Sequence, residues 1–84
     1  MRFQTTGGNE PKNQEIVYEE DGTTFVSYGT KIAKKTNDGK ILLDEHYWDY
    51  SVTTGRYRNQ FLGEGVADTR KNIKDGVYIL TDLN

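Results

Sequence analysis

The sequence predicts an α+β fold: a small antiparallel sheet in β-β-β-α-α-β order with two short helices packed on one face. Short β-prone runs in the first half alternate apolar and polar residues and are separated by Asp-Gly turn signals. Beyond Tyr50 the apolar residues recur at helical spacing instead. A closing run at residues 77–80 has the length and composition of a strand.

The length of 84 residues allows one compact domain with a modest core. Only 33% of the residues are apolar, although six tyrosines can bury a ring and keep the hydroxyl in water. Residues 1–13 contain Gly7-Gly8 and the only proline, which predicts a flexible N-terminal arm. The predicted domain therefore spans residues 14–84.

Three antiparallel strands are predicted before the helices. They cover residues 16–18, 23–32 and 40–43, with turns at Asp21-Gly22 and at residues 37–39. Val26, Tyr28 and Ile32 would share one face of the second strand, as in a sheet with one buried side. Gly29 interrupts this strand, which indicates a β-bulge or a close approach by another segment.

The first helix is predicted to begin among the hydroxyl residues at 51–54, because a side-chain oxygen can accept from a free amide of the first turn. Tyr57 and Phe61 lie four residues apart and would share its buried face. Gly63 can adopt the left-handed conformation that ends a helix.

The second helix is predicted from the spacing of Val66, Arg70 and Ile73, and we expect it to end near Gly76. The apolar run at residues 77–80 then forms the last strand, buried on at least one face. Two helices between the third and last strands complete the predicted order.

The charge balance gives little support to a nucleic-acid partner. The net charge is −2, far from the strong basic bias of most nucleic-acid-binding proteins. Residues 31–60 are the only third of the chain with a positive net charge. The sequence shows no signal-peptide pattern and no apolar run long enough to span a bilayer. We therefore expect a soluble cytoplasmic protein.

The sequence predicts neither a metal site nor a cofactor. It contains no cysteine, which excludes disulfides, thiolate chemistry and cysteine-based zinc sites. His46 is the only histidine, and Asp44 would project from the same side of a strand, with Glu45 and Asp49 nearby. A zinc site needs three or four ligands at defined spacing, so a solvated strand end is the better interpretation of this cluster.

Catalytic groupings are also missing. Ser27 and Ser51 lie in no sequence typical of a hydrolase nucleophile, and a nucleophile needs both a base and a group that orients the base. Adjacent carboxylates such as Glu19 and Glu20 would point to opposite faces of a strand, which prevents shared acid–base chemistry. We therefore predict that the protein is not an enzyme.

The segment 46–61 is the most informative part of the chain, because it concentrates aromatic residues beside arginines and amides. Such mixtures form binding hot spots, since they combine large buried areas with directed hydrogen-bond donors. The alternative is that Trp48, Tyr57 and Phe61 form the small core while the arginines are solvated. The candidate binding residues are Tyr47, Trp48, Arg56, Arg58, Asn59 and Gln60.

Two short motifs carry a resemblance to a known group of proteins. The first is Ser27-Tyr28-Gly29-Thr30 followed by Ile32-Ala33, and the second is Tyr50-Ser51-x-Thr53-Thr54-x-Arg56. Together they resemble a pattern in small uncharacterised proteins encoded by phages and integrated elements of Gram-positive bacteria, over about residues 26–84. The resemblance implies a mobile-element origin and assigns no activity or functional residue.

Two functions from different classes fit these observations. The first is a non-catalytic module that binds a host or defence protein as an inhibitor or adaptor. The second is a nucleic-acid-binding accessory protein that uses Arg56, Arg58 and the lysines of the second hairpin. A small enzyme acting through His46 is favoured less than either. The sequence leaves open whether the protein forms a homodimer, and it indicates no membrane partner.

Overall fold

The predicted α+β class is confirmed by a computed structural model, which describes residues 12–84. The predicted N-terminal arm lies outside the described residues as far as residue 11. In chain order the elements are β1 (Gln14–Glu19), β2 (Gly22–Ser27), β3 (Thr30–Thr36), β4 (Ile41–Asp44), α1 (Val52–Leu62), α2 (Val66–Lys74) and β5 (Tyr78–Thr81). The order is thus β-β-β-β-α-α-β, with one more strand before the helices than predicted.

The extra strand arises because the predicted second strand is two strands joined by a tight turn. Tyr28 and Gly29 form this turn with positive φ angles of 51° and 76°, as the primed turns of hairpins require. The interpretation of Gly29 as a bulge is therefore wrong, and the register shift lies between Phe25 and Val26. Tyrosine seldom adopts a positive φ, so Tyr28-Gly29 is a weaker turn signal than Asn-Gly or Asp-Gly.

The five strands form one sheet in the order β1-β2-β3-β4-β5. The pairs β1–β2, β2–β3 and β3–β4 are antiparallel, as the predicted antiparallel sheet requires. The remaining pair, β4–β5, is parallel. The prediction of a wholly antiparallel sheet is therefore corrected to a mixed sheet. The cause is the connection, because α1 and α2 together return the chain to the starting end of β4, and parallel neighbours need such a crossover.

The helices and the sheet share a small apolar core. Its buried members are Phe25, Ile32, Ala33, Leu43, Tyr57 and Phe61. The rings of Phe25 and Phe61 lie 6.0 Å apart between their centroids, which fixes α1 against the middle of the sheet. The Nζ of Lys35 lies 4.7 Å from the centre of the Phe61 ring and covers the edge of this contact. The predicted buried face of the first helix is thus confirmed.

Both ends of α1 follow the predicted chemistry. The Oγ of Ser51 accepts a hydrogen bond of 3.1 Å from the amide of Thr54, which satisfies one free donor of the first turn. Gly63 ends the helix in the left-handed conformation, with φ at 72°, and its amide donates to the carbonyl of Asn59. These two caps fix which residues of α1 face outward.

A carboxylate ties α2 to the sheet. Glu64 accepts a hydrogen bond of 2.8 Å from the hydroxyl of Thr69 and further bonds from the amide of Asn72 and the hydroxyl of Tyr78. Burial and the bond to Glu64 raise the pKa of Tyr78 to about 12. This network holds the link between α1 and α2 against α2 and β5. No helix within residues 12–84 is long and apolar enough to cross a membrane.

Candidate functional site

An open groove of about 660 Å³ lies between the first half of α1 and the start of α2. We call it the arginine groove, and its lining consists of Asp49, Ser51, Val52, Gly55, Arg56, Arg58, Asn59, Gln60, Val66 and Arg70. Four of the six candidate binding residues therefore come together here. The helical period explains this, because positions 56, 59 and 60 turn away from the buried Tyr57 and Phe61.

Arg58 forms the buried part of the arginine groove. Its side chain is only 1% exposed, although the sequence predicted it as a contact residue. One terminal nitrogen, Nη1, donates to the carbonyl of Trp48 at 2.7 Å and to Oδ1 of Asp49 at 3.2 Å. The other, Nη2, donates to Oδ1 of Asn59 at 3.1 Å. Arg58 thus holds the groove in shape and does not itself present a surface to a partner.

Trp48 supports Arg58 from the segment that precedes α1. The guanidinium carbon of Arg58 lies 5.3 Å from the centre of the Trp48 ring, within the range of a cation–π contact. Trp48 is partly buried against the core and does not line the arginine groove. The sequence left open whether this segment forms a binding surface or the core, and the answer differs between its residues. Trp48, Tyr57 and Phe61 pack inward, while Arg56 faces solvent.

Gly55 packs beside the guanidinium of Arg58. A Cβ atom at position 55 would lie 3.4 Å from Nη2 of Arg58, at van der Waals contact. Glycine inside a helix costs about 1 kcal/mol relative to alanine, so Gly55 lowers the intrinsic helix stability of α1. Gly55 was not among the predicted binding residues.

Asp49 joins the two helices electrostatically. Its carboxylate lies 3.2 Å from Nη1 of Arg58 and 3.1 Å from Nη2 of Arg70 on α2. Partial burial alone would raise the pKa of Asp49, but the hydrogen bonds from Arg70 and Arg58 outweigh it and hold the pKa below its usual value. Three guanidinium groups against one carboxylate make the arginine groove positive within a chain of net charge −2. Asp49 was not among the predicted binding residues.

The outer rim of the arginine groove combines charge, amide and apolar groups. Arg56 is exposed and makes no hydrogen bond or ion pair with any other residue of the described range 12–84. Asn59 and Gln60 are half-buried beside it. The side chain of Val52 is 86% exposed at the helix start, and Val66 adds a second aliphatic surface. The rim can therefore bind both a charged group and an aliphatic one.

Tyr47 lies in a different cavity. This cavity of about 560 Å³, the tyrosine pocket, is lined by Ser27, Tyr28, Thr30, Tyr47 and Tyr50. The rings of Tyr47 and Tyr50 meet edge to face at 5.8 Å. Tyr28 reaches the same pocket from the turn between β2 and β3, which the sequence had not indicated. The predicted set of binding residues thus divides between two surfaces.

The cluster around His46 has a structural explanation. The Asp44 carboxylate is fully buried and accepts hydrogen bonds from the amides of His46, Tyr47 and Leu83 and from the side chain of Asn84. Burial alone would raise the pKa of Asp44, but these four donors lower it. His46 itself is 68% exposed in its side chain, 3.5 Å from Glu45. Within residues 12–84, no three metal-ligating side chains lie together.

The fold and the two surfaces define a small α+β domain with a mixed five-stranded sheet. The chain belongs to a family of unknown function, DUF8033, whose model matches residues 3–77. This range includes the arginine groove, the tyrosine pocket and both helices. No curated protein and no solved structure matches the chain.

Proposed function

We propose that this protein is a non-catalytic binding module of phage or mobile-element origin that occupies a host or defence protein in the cytoplasm, as an inhibitor or adaptor. The arginine groove is its binding surface. The observation that carries this proposal is the contrast within the groove, where Arg58 is 1% exposed and hydrogen-bonded through both terminal nitrogens, while Arg56 is exposed and unpaired among residues 12–84. The buried Arg58 keeps the groove in shape, and the exposed Arg56 is available to bind a partner.

The groups in the arginine groove support binding more than catalysis. A guanidinium stays protonated at physiological pH, and amides such as Asn59 do not titrate, so neither can exchange protons with a substrate. The one carboxylate of the groove, Asp49, is held by two arginines. These groups donate and accept hydrogen bonds from fixed positions, which is the role of an interface residue.

The support beneath the rim lowers the cost of binding. Arg56, Asn59 and Gln60 project from one helix whose ends are capped and whose inner face is buried against the sheet. Side chains on a rigid element lose less conformational entropy on association than side chains on a mobile loop. A small domain with few binding residues benefits most from such preorganisation.

The test compares two double variants in affinity capture from a lysate of the organism that encodes the protein, followed by mass spectrometry. Arg56→Ala/Asn59→Ala changes the rim, and Lys71→Ala/Lys74→Ala changes exposed positions of α2 outside the groove. The control removes more positive charge than the test pair, so a general charge effect would be larger in the control. We expect the partner of the wild-type protein to bind the test pair about tenfold more weakly, on the scale of a hot spot.

Thermal melting of both double variants completes this test. The Lys71→Ala/Lys74→Ala protein should melt close to the wild type, because substitutions at exposed positions usually change stability little. The Arg56→Ala/Asn59→Ala protein should melt slightly lower, because Asn59 is half-buried and accepts a hydrogen bond from Nη2 of Arg58. If the Arg56→Ala/Asn59→Ala protein keeps the wild-type affinity for the captured partner, the binding surface lies elsewhere and the tyrosine pocket becomes the next candidate. Failure to capture any protein with the wild type contradicts the proposed module as a whole.

A nucleic-acid-binding accessory protein is the second candidate, and the positive charge of the arginine groove favours it. Phosphate contacts release counterions, so the affinity for an oligonucleotide would fall steeply as salt increases. A protein interface of the same size would show a weaker dependence on salt. Titration with a labelled oligothymidylate at several salt concentrations separates the two candidates.

A further inference from the structure

We infer that the arginine groove binds an acidic segment of the partner protein, in which a carboxylate side chain lies next to an aliphatic one. This inference rests on the proposed function and adds the chemistry of the partner. Three features of the groove carry it: its charge, the free donors of its rim, and the aliphatic side chains at its edge.

The charge of the groove differs in sign from that of the whole chain. Arg56, Arg58 and Arg70 face a single carboxylate there, while the chain carries a net charge of −2. Long-range attraction therefore contributes little, and an acidic ligand is attracted only close to the groove. Complementary charge of this local kind selects the partner and its orientation more than it raises overall affinity.

The free donors of the rim match a carboxylate. Arg56 has no hydrogen bond or ion pair with other residues of the range 12–84, so all of its guanidinium donors are available. Arg70 is 64% exposed in its side chain and uses only Nη2 in its contact with Asp49. A guanidinium can bind both oxygens of one carboxylate through two parallel hydrogen bonds, which lysine cannot do.

The edge of the groove adds an aliphatic contact. Val52 is 86% exposed and would lose contact with water if a partner side chain covered it. Val66 lines the same groove from the first turn of α2. Gly55 also lines the groove and, because it has no side chain, adds no bulk to the surface of α1 there. An acidic residue next to leucine, isoleucine or valine would contact both the charged and the aliphatic part of the rim.

Single-stranded nucleic acid fits these groups less well. Its binding sites combine basic residues with aromatic rings on which bases stack, and no aromatic ring of residues 12–84 lines the arginine groove. Trp48, the aromatic residue in contact with Arg58, is packed partly against the core. The lining therefore favours an acidic peptide.

In the test, a displayed library of random peptides is selected for binding to the wild-type protein and, separately, to two matched variants. Arg56→Gln removes one rim guanidinium, and Lys74→Gln removes the same charge from an exposed position outside the groove. We expect the wild type and Lys74→Gln to enrich peptides with Asp or Glu beside an aliphatic residue, and Arg56→Gln to lose them. Both variants should show the wild-type melting temperature.

The outcomes separate this inference from the proposed function. Enriched peptides that depend on Arg56 but lack acidic residues would overturn the acidic partner and leave the groove as a protein-binding surface. No enrichment, or enrichment that does not depend on Arg56, would overturn the acidic partner. If no peptide is enriched through Arg56 but a protein is still captured from the lysate, the protein remains a binding module whose binding surface lies outside the arginine groove.

A direct measurement completes the test with the best selected peptide, labelled with fluorescein. We expect its affinity to fall about tenfold when its Glu and Asp residues are changed to Gln and Asn, and about as much with Arg56→Gln protein. Equal binding of the acidic and amide peptides would overturn the inference. Tighter, strongly salt-dependent binding of a labelled oligothymidylate at the same groove would overturn it in favour of nucleic acid.

Discussion

Two contacts between a basic side chain and carboxylates look alike in this molecule and differ in their surroundings. Lys34 on β3 lies 2.7 Å from Asp21 and 3.7 Å from Glu19. Arg58 on α1 lies 3.2 Å from Asp49, a longer distance. The side chains of Lys34 and Asp21, however, are 14% and 74% exposed, while those of Arg58 and Asp49 are 1% and 38% exposed. By distance alone, the surface pair would be judged the stronger.

Burial decides which contact the fold depends on. Water can solvate Asp21 and Lys34 if their contact breaks, so each loses little. Water cannot replace Arg58 in this way, because the guanidinium is buried and also donates to the carbonyl of Trp48 and the side chain of Asn59. Loss of Arg58 would leave these acceptors without their donor and would open space beside Trp48. The same residue also shapes the arginine groove, so stability and the proposed binding surface depend on it together.

The largest effect is therefore expected from Arg58→Met, which keeps much of the side-chain length and removes the guanidinium. We expect it to lower the free energy of unfolding by about 3 kcal/mol, near the lower end for breaking a buried ion pair from one side, because Asp49 keeps its contact with Arg70. Urea denaturation measures this loss. Arg58→Lys serves as the control, since one ammonium retains the charge but cannot reach three acceptors at once.

A loss below about 0.5 kcal/mol for Arg58→Met, the usual size for a surface substitution, would contradict the comparison. It would show that Trp48 and Asp49 are satisfied by water in solution. Arg58→Lys should lie between the wild type and Arg58→Met.

A smaller effect is expected from Asp49→Asn, which keeps the shape of the side chain and removes its charge. The amide oxygen can still accept from one arginine, and the side chain is 38% exposed, so solvent weakens the original ion pairs. We expect a loss of about 1 kcal/mol in urea denaturation at neutral pH, the size of one ordinary hydrogen bond. A loss as large as that of Arg58→Met would assign the dominant interaction to the carboxylate and not to the guanidinium.

The pH dependence provides a separate measure of Asp49. Its folded pKa lies below its usual value, so the native state favours the ionised carboxylate. The resulting stability is present above the unfolded pKa of about 3.9 and is lost as the pH falls through the folded value. We expect the free energy of unfolding of the wild type to fall below about pH 4. The Asp49→Asn protein should lose less over the same range, and the lowered pKa values of Asp44, Asp21 and Asp38 should contribute to the remaining acid sensitivity.

The sequence was sufficient for the parts of the fold that depend on local chemistry. The Ser51 cap, the stop at Gly63 and the buried pair of Tyr57 and Phe61 all follow from residue type and spacing. The turn at residues 28–29 and the parallel pairing of β5 could not be found in this way. The first uses a tyrosine in an uncommon conformation, and the second depends on how two helices cross the sheet.

The arginine groove shows the same division. Arg56 could be placed on the outer face of α1 because the helical period sets its direction. Arg58 could not be recognised as buried, although Thr54, Arg58 and Phe61 form one buried helical stripe. A charged residue is assigned to solvent unless its acceptors are known, and here they come from the irregular segment at Trp48 and Asp49. Only the tertiary structure shows that these groups meet.

The smallest effect is expected from Lys34→Met, which removes the ammonium next to Asp21 and Glu19 and keeps the aliphatic stem. The Lys34 side chain is 14% exposed, so most of its packing comes from the stem, which methionine reproduces. The hydrogen bond from Lys34 lowers the pKa of Asp21, but Asp21 remains accessible to water and stays ionised at neutral pH. We therefore expect the urea midpoint of Lys34→Met to match that of the wild type within measurement error. Any difference at low salt should vanish as salt is added, because exposed charges are screened. A midpoint that falls as far as that of Arg58→Met, and stays low at high salt, would show that distance and not burial determines the strength of these contacts.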